Sequence, residues 1–153
     1  NMPLSHGRLL TFGVTTPSGG ALTMISTDTK EVNGYPGEQD LGDITVAGNV
    51  GHTSYPGLQK ASFSTLHVMN TASTATTAWE VLKAFQSLQQ TYPSTPWVAY
   101  FGPKGTTAAS PLLECSAFIK SISMPIKVTD PNTFTVNWEM SSGTSGMTIG
   151  SWT

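Results

Sequence analysis

Three histidines, one cysteine and nine acidic residues are the side chains from which this 153-residue chain could build a reactive site. His6, His52 and His67 lie far apart, and none forms a ligand-spaced pair. A His-based metal site would have to be assembled in space. Cys115 is the only cysteine, which excludes an internal disulfide framework. Its neighbours of the same strand parity are Leu113, Ala117 and Ile119, so it is expected to be a buried, inert thiol. Serines are abundant, but no G-x-S-x-G elbow occurs and nothing places a base and an acid beside one of them. No carboxylate pair has a spacing that suggests acid/base work, and no glycine-rich loop follows a strand and opens a helix. The residues therefore predict no catalytic site, no metal and no cofactor.

Composition points the same way. Charged residues make up 10% of the chain, where roughly 25% is usual, and the formal net charge is -2. Ser and Thr, about a quarter of the chain, carry the polar surface instead. A surface with few charges and a net charge near zero tends to associate. Without a basic run, the chain does not read as a phosphate-gripping nucleic-acid binder. No apolar run is long enough to span a membrane as a helix, and no signal-peptide pattern opens the chain.

The elements that could position side chains are mostly strands. Thr133 to Met140 alternates strictly: Phe134, Val136, Trp138 and Met140 face one way, and Thr133, Thr135, Asn137 and Glu139 the other. Leu112 to Pro125 precedes it across the turn residues Asp130-Pro131-Asn132. The two read as a long antiparallel hairpin with one dry and one wet face. Further strands are expected at Arg8–Thr15, Ala21–Thr27, Lys60–Met69 and Pro96–Gly102. In Lys60–Met69 both parities mix apolar and polar residues, which leaves its facing open. One helix is predicted over 77–92, with Ala78, Val81, Leu82, Phe85, Leu88 and Tyr92 as its stripe, Trp79 beside them, Thr77 and Glu80 as a capping box, and Pro93 as its stop. Residues 28–57 hold many glycines and prolines, and only Ile44-Thr45-Val46 looks strand-like. They read as a long loop, either an extension that contacts a neighbouring subunit or a surface loop. The fold class is mainly β: an antiparallel sandwich or barrel with one flanking helix. One domain is expected over 1–153, with an N-terminal arm at 1–7 and a C-terminal arm at 143–153.

Two stretches resemble a known family. Tyr55-Pro56-Gly57-Leu58 followed by Ala61-Ser62-Phe63-Ser64 is similar to the middle of phage tail tube proteins. Ala117 to Pro125, the turn with Asp130, and Thr133 to Met140 followed by Ser142-Gly143 look like that family's closing strands. The order of strands, long loop, strand, helix, strand and hairpin agrees over most of residues 9 to 143.

The resemblance implies a structural subunit, not an enzyme. Six copies would close a ring, and rings would stack into the conduit for genome ejection. Implied partners are further copies of the chain, a tape measure protein, and tail terminator and distal tail proteins. Double-stranded DNA would pass without specific binding, no membrane is involved, and the protein would reside in the virion tail after assembly in the host cytoplasm. Lumen-facing candidates on the hairpin's wet side are Glu114, Ser116, Lys120, Thr135, Asn137 and Glu139. Lys120 is discordant there unless it pairs with Glu139 or a neighbour's acid. Inter-ring contact candidates in the long segment are Asn33, Gly34, Tyr35, Glu38, Asp40 and Asp43. Two other readings stand beside this one. The first is a tube or ring protein of a secretion or contractile injection system. The second is a carbohydrate-binding β-sandwich with Trp97, Tyr100 or Trp138 as its platform.

Overall fold

The structure is a computed structural model and describes residues 10–34, 38–43, 47–48, 51, 54–60, 62–72, 76–126, 128–129, 132–141 and 147–153. In chain order the elements are β1 (Thr11–Thr15), β2 (Thr23–Met24), a 3-10 turn (Ser26–Asp28), β3 (Thr29–Asn33), β4 (Glu38–Asp43), β5 (Ser54–Lys60), β6 (Ser62–Val68), α1 (Ala78–Leu82), α2 (Phe85–Thr91), β7 (Trp97–Gly102), β8 (Pro111–Ser123), β9 (Thr133–Met140) and β10 (Met147–Ser151). The main sheet runs β2-β1-β7-β8-β9-β6-β3, with β10 also paired to β8, and all its ladders are antiparallel.

The predicted hairpin is the centre of this sheet. β7 pairs Leu113 to Ala117 on one side of β8. On the other side β9 pairs Ala117 to Ser123, and β10 pairs Pro111 to Cys115 in line with it. Alternation puts Phe12 and Val14, Trp97 and Ala99, Cys115, Ala117 and Ile119, Phe134, Val136 and Trp138, and Phe63 on one face, and all are buried. Phe63 stacks on Trp138 at 5.6 Å, and Trp97 meets Trp138 edge-on at 6.1 Å.

The sheet rolls over this face. Strands β1 and β6 are four positions apart, which in a flat sheet would be about 19 Å. The rings of Phe12 on β1 and His67 on β6 are 6.0 Å apart. The edge strands β2 and β3 are consecutive in the chain, joined by Ile25 to Asp28, and Ile25 is fully buried in the closing seam. The mainly β, antiparallel architecture matches expectation, but the sheet is open rather than hydrogen-bonded into a closed barrel.

Three local expectations need correction. Residues 28–57 contain β3, β4 and the start of β5 rather than one long loop. β4 and β5 form a separate two-stranded sheet, Glu38 opposite Lys60 through Asp43 opposite Ser54. In chain order it lies between β3 and β6, and this separate ribbon is the arm. Its glycines and prolines hid the strands, because β4 reads Glu-Gln-Asp-Leu-Gly-Asp and lacks β-branched or aromatic residues. Ile44 to Val46 lie outside the described residues.

The predicted helix is two short pieces. Thr77 caps α1, its hydroxyl accepting the Glu80 N–H at 3.4 Å. Ala84, at φ -89° and ψ 17°, separates α1 from α2, and neither glycine nor proline marks the break in the sequence. Ala78 and Leu82 are buried, and Trp79, Val81, Phe85 and Leu88 pack against the core. Tyr92, placed in the stripe by periodicity, is exposed.

On α2 it is a polar side chain, Gln89, that holds the helix to the sheet. Its Oε1 accepts the Ile119 N–H at 2.7 Å and the Trp97 indole N–H at 3.1 Å, while its Nε2 donates to the Ile119 carbonyl at 3.1 Å. The β7–β8 ladder stops at Trp97 opposite Ala117, so Gln89 takes the place of a missing strand at Ile119.

Candidate assembly surface and the buried polar chain behind it

The hairpin's wet side faces outward from the rolled sheet. Asn137 lies between Ser64 of β6 and Ser121 of β8, and its Nδ2 donates to Ser121 Oγ at 2.9 Å. Thr135 lies between Leu66 and Ser123, and Glu139 between Ser62 and Phe118. Ser116 is opposite Val98, and Glu114 is flanked by Tyr100 and Thr148. The predicted wet residues of the two strands therefore share one face, though Val98, Tyr100, Phe118 and Leu66 make that face less polar than the hairpin alone suggests.

Lys120 sits where the β8–β9 register shifts, between Ile119 and Ser121. The extra residue carries its side chain to Glu139 at 3.5 Å, the pairing anticipated for it. Both side chains are more than half exposed (66% and 59%), so the pair contributes little to stability. Beyond the shift parity inverts. Ser121 and Ser123 join the outer face, and Ile122 packs against the core.

Of the candidates in the long segment, Asn33 ends β3 opposite Ser64, and Gly34 follows at φ +82°. Both line a depression on the outer face that also takes in Ser64, Lys120, Asn137 and Glu139. The structure thus brings Asn33 and Gly34 together with three of the six lumen candidates. Glu38, Asp40 and Asp43 are positions on β4, in the arm. Tyr35 lies outside the described residues, as do His6, His52 and residues 1–7 and 143–146 of the two arms. Among the described arm side chains, Leu41 stands 68% exposed. Trp97 and Trp138 are fully buried and offer no sugar platform. Tyr100 is half-buried on the outer face. Cys115 is buried, as expected.

Behind this face lies a polar chain that the sequence pattern hid. On β6 the inward set is Phe63, Thr65 and His67, while Leu66 and Val68 point outward with Ser62 and Ser64. That inversion is why the strand's facing could not be read. The usable signal was Thr65 and His67 two residues apart, hence on one face, beside Phe63.

The Trp138 indole N–H donates to Thr65 Oγ1 at 3.0 Å, and Thr65 Oγ1 lies 2.7 Å from His67 Nε2. His67 Nδ1 lies 3.0 Å from Thr29 Oγ1, which donates to the Ile25 carbonyl at 2.9 Å. Thr29 has one hydroxyl proton and gives it to the Ile25 carbonyl, so it must accept from Nδ1, which sets the direction of the chain at that end; the Trp138 indole N–H, which only donates, is compatible with it. Thr65 donates to Nε2, and Nδ1–H donates to Thr29. The imidazole is neutral, with its proton on Nδ1. Burial lowers the His67 pKa from 6.5 to about 4, against the smaller upward pull of the Asp28 carboxylate.

No family model and no curated protein matches this sequence. Solved structures do match in shape. One is the tail of an empty gene transfer agent particle refined with C6 symmetry, at TM-score 0.65 and 11% identity over 98% of this chain and 100% of that one. Another is the SPP1 tail tube, at 0.63 and 8% identity over 95% and 78%. A third is the sheath–tube complex of the extracellular contractile injection system PVC, at 0.60 and 15% identity over 99% and 92%. The fold is that of tail and injection-system tube proteins.

Proposed function

We propose that this chain is a non-enzymatic structural subunit of a phage tail tube, one tail-tube domain that closes into hexameric rings and stacks into the conduit for genome ejection. The observation that carries the reading is the near-complete, two-way match in shape to a tail of C6 symmetry. The molecule supports it physically. Its sheet is open, and open edges invite pairing with further copies. An arm of two strands leaves the body, and an isolated two-stranded ribbon is marginal unless something packs on it.

In this reading Glu114, Ser116, Lys120, Thr135, Asn137 and Glu139 face the lumen. Hydroxyls, amides and carboxylates do not grip phosphate, and Lys120 is drawn to Glu139. Double-stranded DNA then passes without specific contacts. Asn33, Gly34, Tyr35, Glu38, Asp40 and Asp43 form the ring-to-ring contact with the arm. Tape measure, tail terminator and distal tail proteins are the other partners, and the virion tail is the location. Negative-stain microscopy of purified protein tests the assembly: six-membered rings or tubes are expected, and a strictly monomeric species at every concentration overturns it.

The likeness to the PVC tube supports a second reading, the inner tube of a contractile injection system. Sheath and ATPase genes beside this one would favour it, and terminase and tape-measure genes would favour the first.

A further inference from the structure

The polar chain through His67 ties together elements of unequal strength. Trp138 and Thr65 belong to interior strands β9 and β6, each paired on both sides. Thr29 opens β3, an edge strand held by a single ladder that is interrupted by a register shift between Thr29 and Glu31. β3 leads directly into β4 of the arm.

His67 lies between the rings of Phe12 from β1 and Phe134 from β9, at 6.0 and 5.1 Å. Among the described residues the charged group that acts on it is Asp28 in the 3-10 turn, whose carboxylate is engaged by the Ala78 N–H at 3.0 Å and Asn70 Nδ2 at 3.3 Å. β3 and β9 present Thr29 and Trp138, which do not titrate in the acid range.

A proton added at Nε2 puts two hydrogens on the axis to Thr65 Oγ1. Thr65, fully buried and already accepting from Trp138, must then turn its own hydroxyl proton away. The cation is also enclosed by aromatic rings, without solvent. The cheapest relief is to open the side with the weakest attachment, which is β3.

We propose that His67 is a proton-operated latch: its protonation releases edge strand β3, and with it the root of the β4–β5 arm, from a body that stays folded. The latch belongs to the single subunit and does not depend on the tube reading. If the chain assembles as proposed, acid would loosen stacking through the arm.

Hydrogen exchange of the dispersed full chain, corrected for the intrinsic pH dependence of exchange, tests it. Between pH 6.5 and 4.5 the protection of those β3 amides within Glu31–Asn33 that bond to β6 should fall by more than about tenfold relative to amides of the β8–β9 ladder. Carbon and nitrogen NMR of the imidazole should report the Nδ1–H tautomer at pH 7. In a His67→Gln variant the selective loss should disappear. Parallel loss of protection in β3 and in β8–β9 overturns the latch, and so does a folded-state His67 that titrates near 6.5. Should His67→Gln fail to fold, the β3-against-β8 comparison in the wild type decides alone.

Discussion

His67 costs the fold something whenever it is charged. Its folded pKa, about 4, lies below the unfolded value of 6.5, so between these pH values the unfolded chain binds the extra proton. Stability is fully present above pH 6.5 and falls as pH drops towards 4, by about 3 kcal/mol. Urea unfolding at pH 7 and pH 4.5 should show most of this difference, about 2 kcal/mol, in excess of that for His67→Gln, which removes the His67 contribution alone. Equal pH dependence in both proteins would contradict the assignment. Lys120 stands at the other extreme. Its contact with Glu139 is solvent-exposed, so Lys120→Ala should change the unfolding free energy by less than about 1 kcal/mol.

Two joints between elements carry more. Gly34 closes β3 at φ +82°, and a Cβ there would lie 2.9 Å from the Ser62 carbonyl oxygen. Gly34→Ala meets both backbone strain and a contact with main chain that cannot move aside. It should destabilise by about 1–3 kcal/mol in thermal melts, with the loss of exchange protection centred on β3 and its partner β6. Gln89 makes three hydrogen bonds where β7 runs out. Gln89→Ala leaves the Ile119 backbone and the Trp97 indole N–H unpaired and should cost about 2 kcal/mol in chemical denaturation. An unchanged midpoint would mean that water replaces the amide without loss.

For the molecule as a whole, folding and assembly should separate at the arm. Leu41 is 68% exposed within the subunit, so Leu41→Ser removes apolar surface that the monomer does not bury. The melting temperature of the dispersed subunit should stay within about 2 °C of wild type. Rings or tubes should need a protein concentration at least about tenfold higher, as sedimentation would measure. A lowered melting temperature with unchanged assembly would place Leu41 inside the fold rather than between copies.

The hairpin was legible because its alternation is strict. Phe134, Val136 and Trp138 are buried, Thr135 and Asn137 face outward, and the same period gave Cys115 and Ala117 their place. Helix start and cap followed from Thr77, and the stripe, apart from Tyr92, from the three- and four-residue steps. Such local regularities survive in a sequence because each residue reports its own face. What escaped the reading depends on partners far along the chain. β4 and β5 have no strand-like composition and exist because they pair with each other. The inward Thr65 and His67 make sense only once Trp138, 73 residues from Thr65, and Thr29, 38 residues from His67, supply their hydrogen bonds. The role of Gln89 follows from where the β7–β8 ladder stops, at Trp97 opposite Ala117. Periodicity records burial against water; polar satisfaction in the interior is a property of three-dimensional neighbours, and no linear pattern encodes it.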